Sequence, residues 1–268
     1  MPEEVYLSVI IPAYNEEKRL PKTLIEIDKY LRKQTYPSAS SGQVPSAGST
    51  SSPQAGSGQV NYEILVVNDG SKDNTSKVVR ELFSAIENLR LIDNKENHGK
   101  GYVVRQGMLE AKGEYRVFTD ADNSTSIDQV EKMGPEFEKG YDVVIGSRDI
   151  EGAVLDPPQP WIRKVILGEG FKLFRKIVLG LWEIEDTQCG FKGFTKKAAE
   201  NIFPKCKINR FAFDPEILVI AEKLGYKIKE IPVYWINDPE SKVKFKSIIK
   251  MAIDLLKIKW NLITKKYD

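Results

Sequence analysis

The stretch 62–75, YEILVVNDGSKDNT, holds the organisation of the fold in miniature. It opens with a β-branched apolar run, Tyr62 to Val67, that is short enough for a strand. A polar turn follows, and then Asp73-Asn74-Thr75, residue types that cap helix N-termini. Apolar residues next recur at Val78, Val79, Leu82, Phe83 and Ile86, the spacing of one helix face. A strand that turns into a helix is half of a β-α-β unit, and the same alternation continues in both directions.

Upstream, Tyr6 to Ile11 reads as strand and Leu20 to Leu31 as helix. Downstream, Leu89 to Ile92 reads as strand, Tyr102 to Ala111 as helix, Tyr115 to Thr119 as strand, Ile127 to Glu138 as helix and Val143 to Ile145 as strand. Repeated β-α units predict an α/β fold, a Rossmann-like, doubly wound and mostly parallel sheet flanked by helices. Ligands on such sheets bind at the C-terminal ends of the strands.

The second half is less regular. An amphipathic helix is expected from about Trp161 to Leu181, and another around Ala198. Asp214-Pro215 reads as N-cap and N1 of a helix reaching Leu224, and Lys227 to Trp235 as a strand. After Glu240 a lysine-rich amphipathic helix runs to the end. Residues 1–240 therefore form one expected domain, and residues 241–268 a basic amphipathic helical segment. Its apolar stripes are Ile249, Ile253, Leu256, Trp260, Ile263 and Ile248, Met251, Leu255, Ile258, Leu262. Two readings stay open: a helix packed on the domain with a solvated lysine face, and a helix lying on anionic lipid. Residues 37–59, nearly all Ser, Gly, Ala, Pro and Gln, read as a flexible insertion or an introduced linker.

Composition narrows the chemistry. Of 268 residues 41% are apolar and 29% charged, as in a folded protein, and the net charge of +2 gives no expectation of a nucleic-acid partner. Two cysteines build no disulfide framework, so a reduced, cytoplasmic setting is expected. The first residues carry acids where a signal peptide needs a basic region, and Pro12 interrupts the apolar run. No run reaches the roughly 18 apolar residues of a membrane span; Val165 to Trp182 contains Glu169, Lys172, Arg175 and Lys176. Any membrane contact is expected to be peripheral, at the cytoplasmic face. With His98 the single histidine, histidine-rich metal sites are excluded.

Three polar clusters end the strands: Pro12-Ala13-Tyr14-Asn15-Glu16, Asn68-Asp69-Gly70-Ser71 and Asp120-Ala121-Asp122. Residues two apart at a strand end project to the same side, so Asp120 and Asp122 are placed to share one hard cation, Mg²⁺ or Mn²⁺. Such an ion takes few carboxylates and completes its shell with phosphate and water, which points to a diphosphate ligand.

These residues carry a resemblance. VIIPAYNE, VVNDGSKDNT, NHGKGYVVRQG, TDADN, GSR and DTQCGF follow in an order and spacing similar to the inverting family 2 glycosyltransferases of the GT-A fold. DTQCGFKGFTKKAAENIF with NRFAFDPEIL resembles dolichyl-phosphate glucosyltransferases more than the mannose synthases. The resemblance implies transfer of a sugar, glucose from UDP-glucose, to dolichyl or polyprenyl phosphate; the alternatives are a mannose synthase-like enzyme using GDP-mannose and a nucleotide-sugar-binding module without turnover. It implies that Pro12, Ala13, Tyr14, Glu16 and Asp69 hold the nucleoside, that Lys100 approaches the diphosphate, and that Asp120 and Asp122 bind ribose and metal. Two departures stand out: Asn123 follows the DAD triplet where glycine or leucine is usual, and the membrane-spanning segment of many relatives is missing.

A phosphate acceptor is already anionic, its second pKa lying near ~6. Its enzyme needs positioning cations rather than a base. Arg148, at the end of the fifth strand, is the first candidate, and Arg163 and Arg210, in later segments expected to face it, are the others, because a guanidinium bonds two phosphate oxygens at once. The resemblance implies that Asp186, which opens DTQCGF, lines the acceptor side of the donor site. Asp214 is read as an N-cap with a catalytic alternative, and Cys189 as a small buried residue. Other classes fit poorly. The first strand is followed by neither a glycine-rich nucleotidyltransferase loop nor GxGxxG, and a processive synthase's QxxRW-type motif is missing.

Overall fold

The structure, a computed structural model, describes residues 5–34, 61–157, 169–236 and 245–268. In chain order the strands are β1 (Leu7–Ala13), β2 (Tyr62–Asp69), β3 (Leu89–Asn94), β4 (Tyr115–Thr119), β5 (Val143–Ser147), β6 (Val154–Asp156), β7 (Phe191–Thr195), β8 (Ile228–Pro232) and β9 (Tyr234–Ile236). The α-helices are α1 (Leu20–Leu31), α2 (Thr75–Glu81), α3 (Lys100–Glu110), α4 (Gly134–Glu138), α5 (Gly170–Leu179), α6 (Lys196–Ile202), α7 (Phe213–Lys223) and α8 (Phe245–Ile263).

Seven strands form one sheet in the order β3-β2-β1-β4-β7-β5-β8, parallel except for β7. Both faces are covered, which explains the continuous apolar runs of the central strands. Ile10, Leu65, Val67 and Phe118 point to one side, where α3, α6, α7 and α8 pack. Val9, Ile11, Ile64, Val66 and Val117 point to the other, against Leu24 and Ile27 of α1 and Val79 of α2.

The structure departs from the sequence reading in five places. First, β7 was not foreseen; five residues with glycine at their centre give little period to read, and the strand exists because β4 and β5 pair with its two edges. Second, Ile127 to Glu138 is a 3-10 helix (Ile127–Lys132) followed by α4, with Gly134-Pro135 at the break. Third, Lys227 to Trp235 divides at Val233: β8 joins the main sheet, whereas β9 pairs with β6 in a second one. Fourth, Asp214 is not an N-cap; α7 begins at Phe213 behind Ala212, so Asp214 lies in the first turn with its side chain free for another partner. Fifth, the helix opened by Asp73-Asn74-Thr75, where Asp73 accepts the Thr75 amide at 3.0 Å, does not run on to Ile86: α2 ends at Glu81 and the chain continues as turns.

The expected helix from Trp161 is described only as α5, and Arg163 and the 37–59 segment lie outside the described residues. Asn123 stands at φ 55°, a left-handed position that asparagine tolerates, which gives the departure after the DAD triplet a backbone reason. Among the described residues no helix is long and apolar enough to cross a membrane.

Candidate active site

Because β1, β2, β4 and β5 run in one direction, their C-terminal ends share one edge; β1, β2 and β4 open into the three polar clusters and β5 into Arg148. The antiparallel β7 starts at that same edge, Phe191 opposite Thr119, so the preceding Asp186–Gly190 segment arrives beside Asp120.

The first two loops interlock. The Asn15 amide donates to Ser71 Oγ at 2.9 Å, the Lys72 amide to Asn15 Oδ1 at 2.8 Å, and the Glu16 amide to Thr75 Oγ1 at 2.9 Å. Pro12 and Ala13 close β1, Tyr14 is exposed above them, and Glu16 accepts two 2.8 Å bonds from Arg19. Asp69 is buried and holds the loop before α3: it accepts from Asn97 Nδ2 at 2.8 Å and from the amides of His98 and Gly99 at 2.7 and 2.9 Å. Asp69 thus shapes the loop that presents Lys100.

Lys100 Nζ donates to Asp120 Oδ1 at 2.5 Å. Burial alone lowers the lysine pKa, but Asp120, Asp214 and Asp122 outweigh it and raise it, so Lys100 is a cation. Gly190 closes the other side of Asp120: a Cβ there would stand 2.1 Å from Asp120 Oδ2. Asp122 accepts the Ser124 amide at 3.0 Å, its only hydrogen bond among the described residues.

Arg148 and Asp186, predicted on the same edge, bind one another. Nε and Nη2 of the arginine reach the two carboxylate oxygens at 2.7 and 3.0 Å, and the Arg148 amide adds a bond at 3.1 Å. Asp186 also accepts the Gln188 and Cys189 amides at 2.9 and 3.1 Å. The guanidinium lies 4.7 Å from the Trp235 ring centroid. One edge of the fork expected to meet an acceptor is therefore committed to Asp186, leaving Nη1. Burial opposes the charge on Asp186, but Arg148 and Lys192 hold its carboxyl well below the usual carboxylate range.

A second buried ion pair was not foreseen. Lys192 Nζ donates to Asp214 Oδ1 at 2.6 Å and to the Cys189 carbonyl, and its side chain is fully buried. A lysine sharing its strand face with Phe194 was the available signal, since a buried charge demands a partner. Arg210 is exposed and packs its stem against Gly99, at the rim beside Lys100. His98 stacks on Tyr102 at 4.5 Å between ring centroids.

The sequence model of glycosyl transferase family 2 matches residues 54–203. A dolichyl-phosphate beta-glucosyltransferase of Trichomonas vaginalis is 39% identical over 260 residues, covering 95% of this chain and 73% of the relative. The Homo sapiens enzyme of the same name is 35% identical over 272 residues, covering 96% and 76%. Among solved structures, mannosyl-3-phosphoglycerate synthase from Rubrobacter xylanophilus superposes with a TM-score of 0.63 at 13% identity, covering 98% of this chain and 75% of that one. Glucosyl-3-phosphoglycerate synthase from Mycobacterium tuberculosis, solved in complex with Mn²⁺, UDP and glucosyl-3-phosphoglycerate, gives 0.60 at 16% identity, covering 95% and 78%. The chain belongs to glycosyl transferase family 2. It is a glycosyltransferase on a GT-A fold.

Proposed function

We propose that the protein transfers glucose from UDP-glucose, with inversion, to dolichyl or polyprenyl phosphate. The names of its relatives support the donor sugar and the lipid phosphate. The observation that carries the acceptor class is the state of the carboxylates: Asp69, Asp186 and Asp214 are each engaged by donors, Asp120 by Lys100, and Asp122, which accepts the Ser124 amide, is assigned to the metal. A sugar-hydroxyl acceptor would need one of them as a base. A phosphate monoester needs none, because it is a nucleophile at neutral pH.

Asp120 and Asp122 suit a divalent cation: two hard carboxylate donors at one strand end, too few to fill its shell, which diphosphate and water would complete. Such an ion, Mg²⁺ or Mn²⁺, would supply charge stabilisation for the departing diphosphate. Lys100, the cation beside Asp120, is assigned to the same developing charge. Pro12, Ala13, Tyr14 and Glu16 form the nucleoside side of the cleft on the loops that Asp69 and Ser71 hold in place. At the opposite wall Arg148 positions the acceptor phosphate through Nη1 while Asp186 and Trp235 fix its orientation. Arg210 adds positive charge at the rim, and Arg163 is kept as a third acceptor cation. An acceptor oxygen attacks the anomeric carbon, and the nucleoside diphosphate leaves from the opposite face.

Peripheral membrane contact at the cytoplasmic face belongs to the same proposal. Residues 1–240 would carry catalysis, with α8 as a surface anchor. The helix divides between the two readings of its stripes: Met251, Leu255 and Ile258 are buried against the domain, while Ile249, Ile253, Leu256, Trp260 and Ile263 are exposed. Lys250 and Lys257 flank the exposed stripe on one side and Lys259 on the other, the pattern of an interfacial helix. Leu173, Phe174 and Ile177 of the neighbouring α5 extend the apolar face.

The test is a donor panel of UDP-glucose and GDP-mannose with Mn²⁺ or Mg²⁺ and a short polyprenyl phosphate. Lipid-linked glucose is the expected product. Transfer to free sugars with none to the lipid phosphate overturns the acceptor assignment.

A further inference from the structure

We propose that Lys192 is a positioning residue that braces the donor side of the site, holding two separate walls against Asp120 and Lys100. The inference rests on the donor-side reading of those two residues and adds the element that sets their places.

Lys192 lies on β7 in the middle of the sheet, fully buried, with its ammonium 5.4 Å from the Phe118 ring centroid. It reaches two segments remote from each other in sequence. One is the Cys189 carbonyl, in the loop that carries Asp186 and Gly190; the other is Asp214 in the first turn of α7, at 2.6 Å. Each segment presses directly on the donor groups. Gly190 leaves no room beside Asp120, since its missing Cβ would lie 2.1 Å from Oδ2. The chain entering α7 abuts the start of α3: a Cβ on Gly99 would meet the Asn209 carbonyl oxygen at 2.4 Å, and one on Gly101 would meet the Ile208 carbonyl oxygen and Phe213 Cβ at 2.6 Å. The Tyr102 amide bonds the Asn209 carbonyl at 3.2 Å.

The Lys100–Asp120 contact is therefore clamped between two walls, and Lys192 is the side chain that joins them. A hydrophobic residue of similar length would fill the same space and leave the walls unjoined. Displacements of about 1 Å in such a frame cost on the order of a hundredfold in turnover.

The experiment compares the full chain with Asp214→Asn and with the double variant Lys192→Met/Asp214→Asn. Removing both charges together avoids stranding one in the core. Titration calorimetry with Mn²⁺ and UDP-glucose, without acceptor, is read beside the thermal midpoint. Asp214→Asn keeps an oxygen acceptor for Lys192 but leaves its ammonium charge unbalanced, so the thermal midpoint is expected to fall while donor affinity of the folded protein stays within about threefold of the parent. The double variant is expected to fold and to bind the donor on the order of tenfold or more weakly. Parental donor affinity in a folded double variant overturns the brace. So does an Asp214→Asn protein that loses affinity as fully as the double variant, because charge rather than the linkage would then be at work. Donor binding that follows the expected order while no lipid-linked product forms would instead refute the acceptor assignment and leave the brace standing.

Discussion

The guanidinium of Arg148 and the carboxylate of Asp186 form a two-point ion pair at 2.7 and 3.0 Å, stacked on Trp235. The pair locks the end of β5 to the loop entering β7, and it makes Asp186 an anion that the folded state prefers.

That preference sets a pH dependence. The folded-state pKa of Asp186 lies below its ordinary value of 3.8, so its contribution is complete above that value and fades as pH falls through it towards the folded pKa. Asp186→Asn is expected to destabilise the protein by about 3 kcal/mol or more at neutral pH. The gap between parent and variant should stay constant above about pH 5 and narrow progressively as the pH falls below about 4, read by urea denaturation at each pH. A gap independent of pH would remove the ionic role.

Asp122 bonds only the Ser124 amide among the described residues, so Asp122→Asn should leave stability within about 0.5 kcal/mol. Transfer should fall by at least about a hundredfold, because a neutral amide does not balance a divalent cation beside a diphosphate. Wild-type turnover in this variant, or full activity of the parent in chelator, would refute the metal assignment.

Gly190→Ala places a methyl group where Asp120 Oδ2 now stands. The carboxylate must turn away, and the Lys100 contact breaks with it. Donor affinity is expected to drop on the order of tenfold, and an alanine variant with parental affinity would show that the carboxylate position is not critical.

Cys189 and Cys206 are buried, and burial pushes both thiols up, Cys189 to about 12. Neither should react with a thiol reagent at about pH 8 in the native protein, and both should react in denaturant. Rapid native labelling of either would place it in an accessible pocket.

Ile253→Glu/Trp260→Glu changes two exposed side chains of α8 and should leave the fold unaltered. Co-sedimentation with vesicles containing phosphatidylserine is expected for the parent and largely lost in the variant. Equal sedimentation of both proteins would reject the exposed stripe as the lipid-facing surface.

The parallel half of the fold was legible because its strands and helices are long enough to show their periods: Leu20–Leu31 and Tyr115–Thr119 have the foreseen bounds. The edge carrying Asp69, Asp120 and Arg148 followed from strand direction alone. What stayed hidden depended on tertiary pairing. The pairing of Lys192 with Asp214 joins residues on elements with no local signal of proximity, and Asp214 beside proline imitates a cap. Arg148 was read as facing a ligand because its partner Asp186 arrives in the loop before an antiparallel strand that the pattern does not announce.

That antiparallel strand also orders the assembly of the molecule. β4 and β5 do not touch directly in the sheet; each pairs with β7, whose residues come later in the chain. As the chain leaves the ribosome, β1 to β4 can pair as they emerge, whereas β5 must wait for residues 191–195 to complete the sheet. Synthesis at ~5–20 residues per second gives that wait a length of seconds, during which the unpaired backbone N–H and C=O groups along β5 are open to wrong partners. Chains halted before residue 191 should be protease-sensitive across β5 and protected across β1 and β2.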